Sequence, residues 1–558
     1  MVGKFADNMT ITFNMNRDSN LTRLQTEEFD ICIIGGGASG AGCALDATLR
    51  GFKVALIEKE DFAAETSSKS TKLIHGGVRY LEQAFKNLDF AQLKQVRHGL
   101  EERHTVLANA PHLARPLALL TPVFSWIEGA YFSIGLALYG WFAKHDSLPK
   151  SKWLSKKEMQ ERIPTLAKNI HSAVMYYDGQ LDDARYCLAI AHSAEEAGAA
   201  MANHTQVIDF KYNTDGSLAS TTVRDLITNT TFDIKAKAFI NCTGATADTI
   251  RLLANPSVKR RIRPSKGVHI TLPYEVLNSN SALLIPKTPD GRVVFALPFE
   301  GELMVGTTDD DYKNLDEEPI LNEKEIDFIL ETLEPYMAQK VEKYQVKAGF
   351  GGLRPLIVAD NRANTKSLVR DHEVEIDIKT QLISLLGGKW TTYRLMAKDT
   401  IDETEQILRG SVSACTTDKH VLVGGVGYTP NSYVELSKKY NLNNDTLKHL
   451  TDKYGSRAIK LVFLINNKPE LGEKLTPQYP HLKAEVVYTA AHEMACTVRD
   501  FMARRTRLEI MDWQTAHKIA PEVARLLGEA LNWNAAEIEK AATEYRVLLD
   551  KFKQSANV

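Results

Sequence analysis

Residues 29–59, FDICIIGGGASGAGCALDATLRGFKVALIEK, constrain the fold most, because they set out a strand, a glycine-rich turn, a helix and a second strand in order. Ile31, Ile33 and Ile34 form the buried strand. Gly35, Gly37 and Gly40 then supply a tight turn, close backbone approach to a pyrophosphate, and close packing of helix on strand. The N-terminus of that helix faces the phosphates. Residues 54–57 make the second strand, and Glu58 stands at its end, about twenty residues beyond the glycines, where a carboxylate accepts hydrogen bonds from ribose hydroxyls. An acid at this point disfavours a 2′-phosphate.

A chain of 558 residues exceeds one hydrophobic core and implies two or three domains. Its 68 basic and 70 acidic residues leave a formal net charge of -2, so no overall field recruits nucleic acid, and any anion site has to be local. The six cysteines are scattered without CxxC spacing, which fits reduced thiols, a cytosolic compartment and no metal site. The first twenty residues lack an apolar run flanked by basic residues, so export is not expected. Residues 129–143, GAYFSIGLALYGWFA, fall short of the roughly twenty apolar residues that span a bilayer. Two readings of this segment stay open: a buried or partly exposed helix, or a surface dipping into lipid, which Trp126, Tyr131, Tyr139 and Trp141 would suit.

Apolar β-rich runs at 267–272, 281–285, 292–297 and 303–306 read as an antiparallel sheet of a second domain, followed by a helix over 323–333. Residues 238–244 and 382–388 return to the style of the first unit, which makes that unit discontinuous. After about residue 406 strand signals vanish. Amphipathic helices are expected over 486–503 and 516–531, behind a Gly-rich linker at 424–427 and before a loose polar tail after Phe552. The expected fold is α/β plus α+β. A discontinuous Rossmann-like domain covers 28–112, 170–265 and 350–400, a substrate domain 113–169 and 266–349, and an all-helical C-terminal domain 406–558.

Residues 66–82, TSSKSTKLIHGGVRYLE, are very similar to the signature of FAD-dependent glycerol-3-phosphate dehydrogenases. The similarity continues, in the family's order, through LDDARY at 181–186, KGVHI at 266–270, VGTTDDDY at 305–312, GGLRPL at 351–356, LVRDHEV at 368–374, GGKWTTYR at 387–394 and RDFMARRTRL at 499–508. This resemblance implies oxidation of sn-glycerol 3-phosphate to dihydroxyacetone phosphate by tightly bound FAD, with electrons passed to a membrane quinone. It also implies peripheral association with the inner face of the cytoplasmic membrane. An oxygen-using oxidase is the alternative, and a homodimer through the helical tail is left open. The segment NCTGATAD at 241–248 departs from the family by lacking the Pro and Trp that usually follow its Thr-Gly pair, which puts the packing over the flavin edge in question.

A phosphorylated three-carbon substrate needs cations at one end and a proton acceptor at the other. Arg79 and Arg370 are expected to clamp the phosphate with Lys389 assisting, and Tyr80 to add a hydroxyl. Arg354 is expected beside the reacting carbon to stabilise developing negative charge. His269 is the expected base, as a neutral imidazole near its ordinary pKa of about 6.5, with His75 as runner-up. The expected FAD contacts are Gly35, Gly37, Ser39, Gly40, Glu58, Lys59, Thr66, Ser67, Ser68, Lys72, His75, Val207, Gly244, Gly388 and Thr391. Basic residues at Lys144, Lys150, Lys152, Lys156 and Lys157 suit either anionic lipid or a solvated face.

Overall fold

A computed structural model describes residues 15–77, 90–142, 148–286, 288, 291–315, 317–358 and 372–558. Its first sheet is built on Glu28–Ile34, which pairs in parallel with Val54–Ile57 on one side and Thr231–Asn241 on the other. Ile31, Ile33 and Ile34 are all buried, as a parallel strand covered on both faces requires. Ala200–Ala202 and Ile383–Gly387 extend the parallel run at either side, and His372–Ile376 closes one edge antiparallel. The two segments expected to rejoin the first unit therefore lie in its sheet. A hairpin, Thr205–Tyr212 with Leu218–Asp225, attaches to the first half of Thr231–Asn241. Helices Ala38–Leu49, Asp183–Glu196 and Tyr393–Arg409 share one buried core. At the crossing of two of them stands Gly42, where a methyl would press on Tyr393 and Ala397 at 3.0 and 3.1 Å.

The second sheet runs Ile262–Pro273, Glu302–Gly306, Val294–Phe299, Ala282–Ile285 with antiparallel pairing throughout. Ala282–Ile285 then meets Ala114–Val123 in parallel, so the sheet is mixed, and Ser172–Leu181 and Leu73–Ile74 complete that side. Ala348–Ile357 pairs along most of Ile262–Pro273. Ser172–Leu181 and Ala348–Ile357 begin inside or at the edge of spans assigned by sequence to the cofactor domain. Their buried apolar runs carry no mark of which sheet they join.

Beyond Arg409 the described elements are helical. The single helix expected over 486–503 is instead Lys483–His492, a break, and a wide turn at Asp500–Arg505. The break comes where the Glu493 carboxylate is taken by Arg185 at 2.5 Å and Met494 adopts φ +50°. The tail expected to be loose after Phe552 continues the helix Ala535–Ala556, with Phe552 and Ala556 buried.

Candidate cofactor and active site

Strand, turn and helix touch at the glycines. Gly35 has φ +109°, and a methyl there would stand 2.7 Å from the Cys242 carbonyl oxygen. One on Gly40 would collide with the Gly35 carbonyl oxygen, and one on Gly37 would reach the Ser67 hydroxyl at 2.9 Å. The helix Ala38–Leu49 starts at Gly37 with no side-chain cap. Its Ala38 amide donates to Ser67 Oγ at 2.9 Å, which leaves other first-turn amides, that of the partly exposed Ser39 among them, as donors for a phosphate. Glu58 accepts from the Gly36 amide at 2.6 Å through one oxygen and from the Glu60 amide at 2.9 Å through the other. Each oxygen keeps a lone pair for a ribose hydroxyl. Burial pushes this carboxyl up to about 7. A cradle that a Cβ would fill, an uncapped helix and a terminal carboxylate fit a dinucleotide such as FAD. Lys59, expected at the cofactor, is exposed.

The loop that follows is braced from three sides. Thr66 Oγ1 donates to the Leu353 carbonyl at 2.7 Å, and Trp390 Nε1 donates to the Ser67 carbonyl at 2.9 Å. Lys72, expected to contact FAD, is fully buried, and its ammonium donates to the Ser68 carbonyl, the Ser70 carbonyl and Asp183 at 2.8, 2.9 and 2.9 Å. An ammonium has three N–H donors, so this side chain is spent holding the loop. Asp183 also takes Arg507 at 2.9 Å, and Arg507 donates to the Ser68 carbonyl at 2.6 Å.

His269 lies on Ile262–Pro273, 3% exposed, stacked on Phe350 with ring centroids 4.9 Å apart. Its Nε2 is 3.0 Å from Thr71 Oγ1 of the braced loop, and its Nδ1 is buried without a hydrogen-bond partner. Burial, with Lys72 and Arg354 nearby, holds this imidazole well below its ordinary value, not near 6.5 as expected. His75 is partly exposed and pushed down to about 4 by burial, Lys389 and Arg103. Both candidate bases are neutral at physiological pH. Arg354, partly exposed, binds Asp309 at 3.1 Å, Thr307 Oγ1 at 3.1 Å and the Thr308 carbonyl at 3.0 Å. Where its guanidinium passes the neighbouring strand stands Gly267, whose methyl would meet Arg354 Nη2 at 2.5 Å.

Gly388, at φ +87°, and the partly exposed Lys389 follow Ile383–Gly387 and lead into the turn that buries Thr391. Gly244, at φ +57°, opens the short turn Gly244–Thr246 and has open space on its Cβ side. In this turn Ala245 is buried. Val207 is buried in its hairpin, two residues beyond Thr205, whose amide donates to the Glu58 carbonyl where the hairpin meets that residue. Arg79, Tyr80 and Arg370 lie outside the described residues.

The sequence reading missed Asp183, Arg507, Thr71 and Asp61. Asp61 is buried and holds Arg504 at 2.6 Å and Arg505. LDDAR and RRTRL offered the signal, as acids and arginines in buried surroundings need each other.

Residues 30–374 match the family model of FAD dependent oxidoreductases, and residues 415–538 match the C-terminal domain of alpha-glycerophosphate oxidase. Fold and cradle thus define an FAD-dependent oxidoreductase. The chain is 42% identical over 542 residues to a probable mitochondrial glycerol-3-phosphate dehydrogenase of Caenorhabditis elegans, covering 94% of this chain and 74% of that protein. It is 40% identical over 532 residues to the human mitochondrial enzyme of that name, covering 93% and 73%. The glycerol-3-phosphate dehydrogenase of Bacillus halodurans, solved with FAD, superposes with TM-score 0.79 at 29% identity over 98% of each chain. The chain belongs to the FAD-dependent glycerol-3-phosphate dehydrogenase family.

Proposed function

We propose that the protein oxidises sn-glycerol 3-phosphate to dihydroxyacetone phosphate and delivers the electrons to a membrane quinone. Bound FAD supplies the hydride acceptor. The observation that carries this reading is His269, neutral and held through Nε2 by Thr71 in the loop whose Ser67 bonds the helix behind the glycine turn. His269 takes the substrate's hydroxyl proton, Nδ1 being its uncommitted nitrogen. Arg354 stabilises the negative charge that develops at the oxygen. Lys389 draws the phosphate, together with Arg79 and Arg370.

A membrane-bound acceptor fits the outer face of the helix Trp126–Phe142. Trp126, Ile127, Tyr131, Ile134 and Trp141 are 66%, 65%, 51%, 65% and 62% exposed, an apolar face suited to dipping into lipid. Trp153 packs against Gly129 of this helix, and Lys150, Lys152, Lys156 and Lys157 beside it are exposed and suited to anionic headgroups. Among the described residues no helix is long and apolar enough to cross a membrane, so attachment is peripheral in this reading. Relatives named mitochondrial move the expected membrane, in this reading, from the cytoplasmic membrane to a mitochondrial one.

Mixing the flavoprotein with sn-glycerol 3-phosphate without oxygen should bleach the flavin absorbance, and a quinone analogue should restore it faster than air. Faster recovery in air would instead make the protein an oxidase. No bleaching would reject the substrate.

A further inference from the structure

The helix Trp126–Phe142 has a second face. Opposite its exposed aromatic residues, Tyr139 is 2% exposed and reaches into the protein. The Gly76 amide donates to its hydroxyl oxygen at 2.7 Å, and the hydroxyl lies 3.1 Å from Asp178 Oδ1. Asp178, on Ser172–Leu181, is in turn ion-paired with Arg103, which also lies over the Tyr139 ring at 5.7 Å. An ionised carboxylate only accepts, so the phenol must donate to Asp178, which leaves its lone pairs for Gly76. The direction of both bonds is therefore fixed.

Gly76 has little freedom of its own. A methyl on it would meet Leu100 at 2.8 Å and the Val96 carbonyl at 2.9 Å, and its neighbour Gly77 has φ +83°. On its other side is His75, which the short strand Leu73–Ile74 joins to Thr71 and Lys72 of the loop that holds His269. An amide buried in this way is costly to leave unpaired, because nothing else replaces the water it gave up.

We propose that Tyr139 is a positioning residue for the oxidation, fixing the backbone at residues 75–77 and thereby making the seating of the apolar surface helix a determinant of turnover. The proposal rests on the functional reading given above. Most of cofactor retention falls to the glycine turn and Glu58 elsewhere in the chain, while His75, an expected FAD contact beside Gly76, would report Tyr139 through the flavin spectrum.

The test is Tyr139→Phe in the FAD-loaded full chain, compared with the unmodified protein using sn-glycerol 3-phosphate and a soluble dye acceptor. The expected result is a roughly tenfold fall in kcat with KM and FAD content little changed, together with a shifted visible flavin spectrum. Equal kcat and an unshifted spectrum would overturn the proposal, as would a fall in FAD content that accounts for all the lost activity. If the unmodified protein does not turn over this substrate, the functional reading fails, and the spectral comparison alone decides the role of Tyr139. Should the phenylalanine variant not fold, Asp178→Asn keeps Tyr139 and weakens the acceptor that orients its hydroxyl. Because this change also removes the partner of buried Arg103, its melting temperature is read beside kcat. It must then lower kcat at unchanged KM, and unaltered kcat would overturn the proposal.

Discussion

Arg507 donates to the Ser68 carbonyl at 2.6 Å, so a residue of the helical C-terminal region closes the loop beside the glycine turn. The same guanidinium holds the fully buried Asp183, which Lys72 also binds. Taking one partner from a buried ion pair costs about 3–5 kcal/mol, because the remaining charge stays behind dehydrated. Arg507→Ala should lower the melting temperature and yield protein with less FAD per chain. Thermal unfolding followed beside flavin absorbance checks both, and full FAD occupancy with an unchanged melting temperature would contradict the bracing role.

His269→Asn keeps a polar side chain of similar size and removes the proton acceptor. General base catalysis contributes about 10²–10⁴-fold, so kcat should fall within that range while FAD content is retained. Because burial and the neighbouring Lys72 and Arg354 hold the imidazole well below 6.5, it stays unprotonated as the pH drops through 6.5. The acid limb of kcat/KM attributable to His269 therefore lies well below that value. A limb centred near 6.5 that disappears in the Asn variant would contradict the geometry.

In its proposed role Glu58 accepts ribose hydroxyls as a carboxylate, yet its pKa without FAD is raised to about 7 by burial. Protonation removes acceptor capacity, so FAD binding weakens as the pH falls through 7. Between about pH 8 and about pH 6 the apo protein should lose roughly tenfold in FAD affinity, as the ionised fraction drops from nearly all to about one-tenth. Fluorescence titration with FAD reads this directly. Glu58→Gln should bind more weakly at the higher pH and lose the dependence.

His192 is 6% exposed and pushed down to about 3 by burial from an ordinary value of 6.5. Below 6.5 the unfolded chain takes a proton that the folded chain refuses, so stability is full above that pH and falls as pH drops, until the folded pKa is reached. At about pH 5 this single residue removes about 2 kcal/mol. Urea unfolding of the unmodified protein and His192→Gln at the two pH values measures it. An equal loss of stability in both proteins would remove His192 as a cause.

Legibility in the sequence followed the range of the interaction. The Gly35 to Glu58 unit is local, so its strand, turn, helix and carboxylate could be read residue by residue, and 238–244 and 382–388 repeated its pattern of a buried strand running into a tight glycine turn. What failed needed partners far along the chain. Lys72 reads as part of the polar run 66–72 that offers donors to a flavin, and only Asp183 explains its burial. The helix over 486–503 has good periodicity, but Glu493 gives its carboxylate to Arg185, 308 residues away, and the helix ends there. The apolar run at 129–143 carried its aromatic character openly, yet nothing in it distinguished Tyr139 facing inward from Tyr131 facing outward.

The link from Ser68 to Arg507 also sets an order of events in the making of the protein. A ribosome has to add 439 residues after Ser68 before the arginine exists that closes this loop. The glycine turn is synthesised long before Arg507, which completes its surroundings. Full bracing of the cofactor loop therefore waits on the C-terminal region, and a chain cut before Arg507 should hold less FAD.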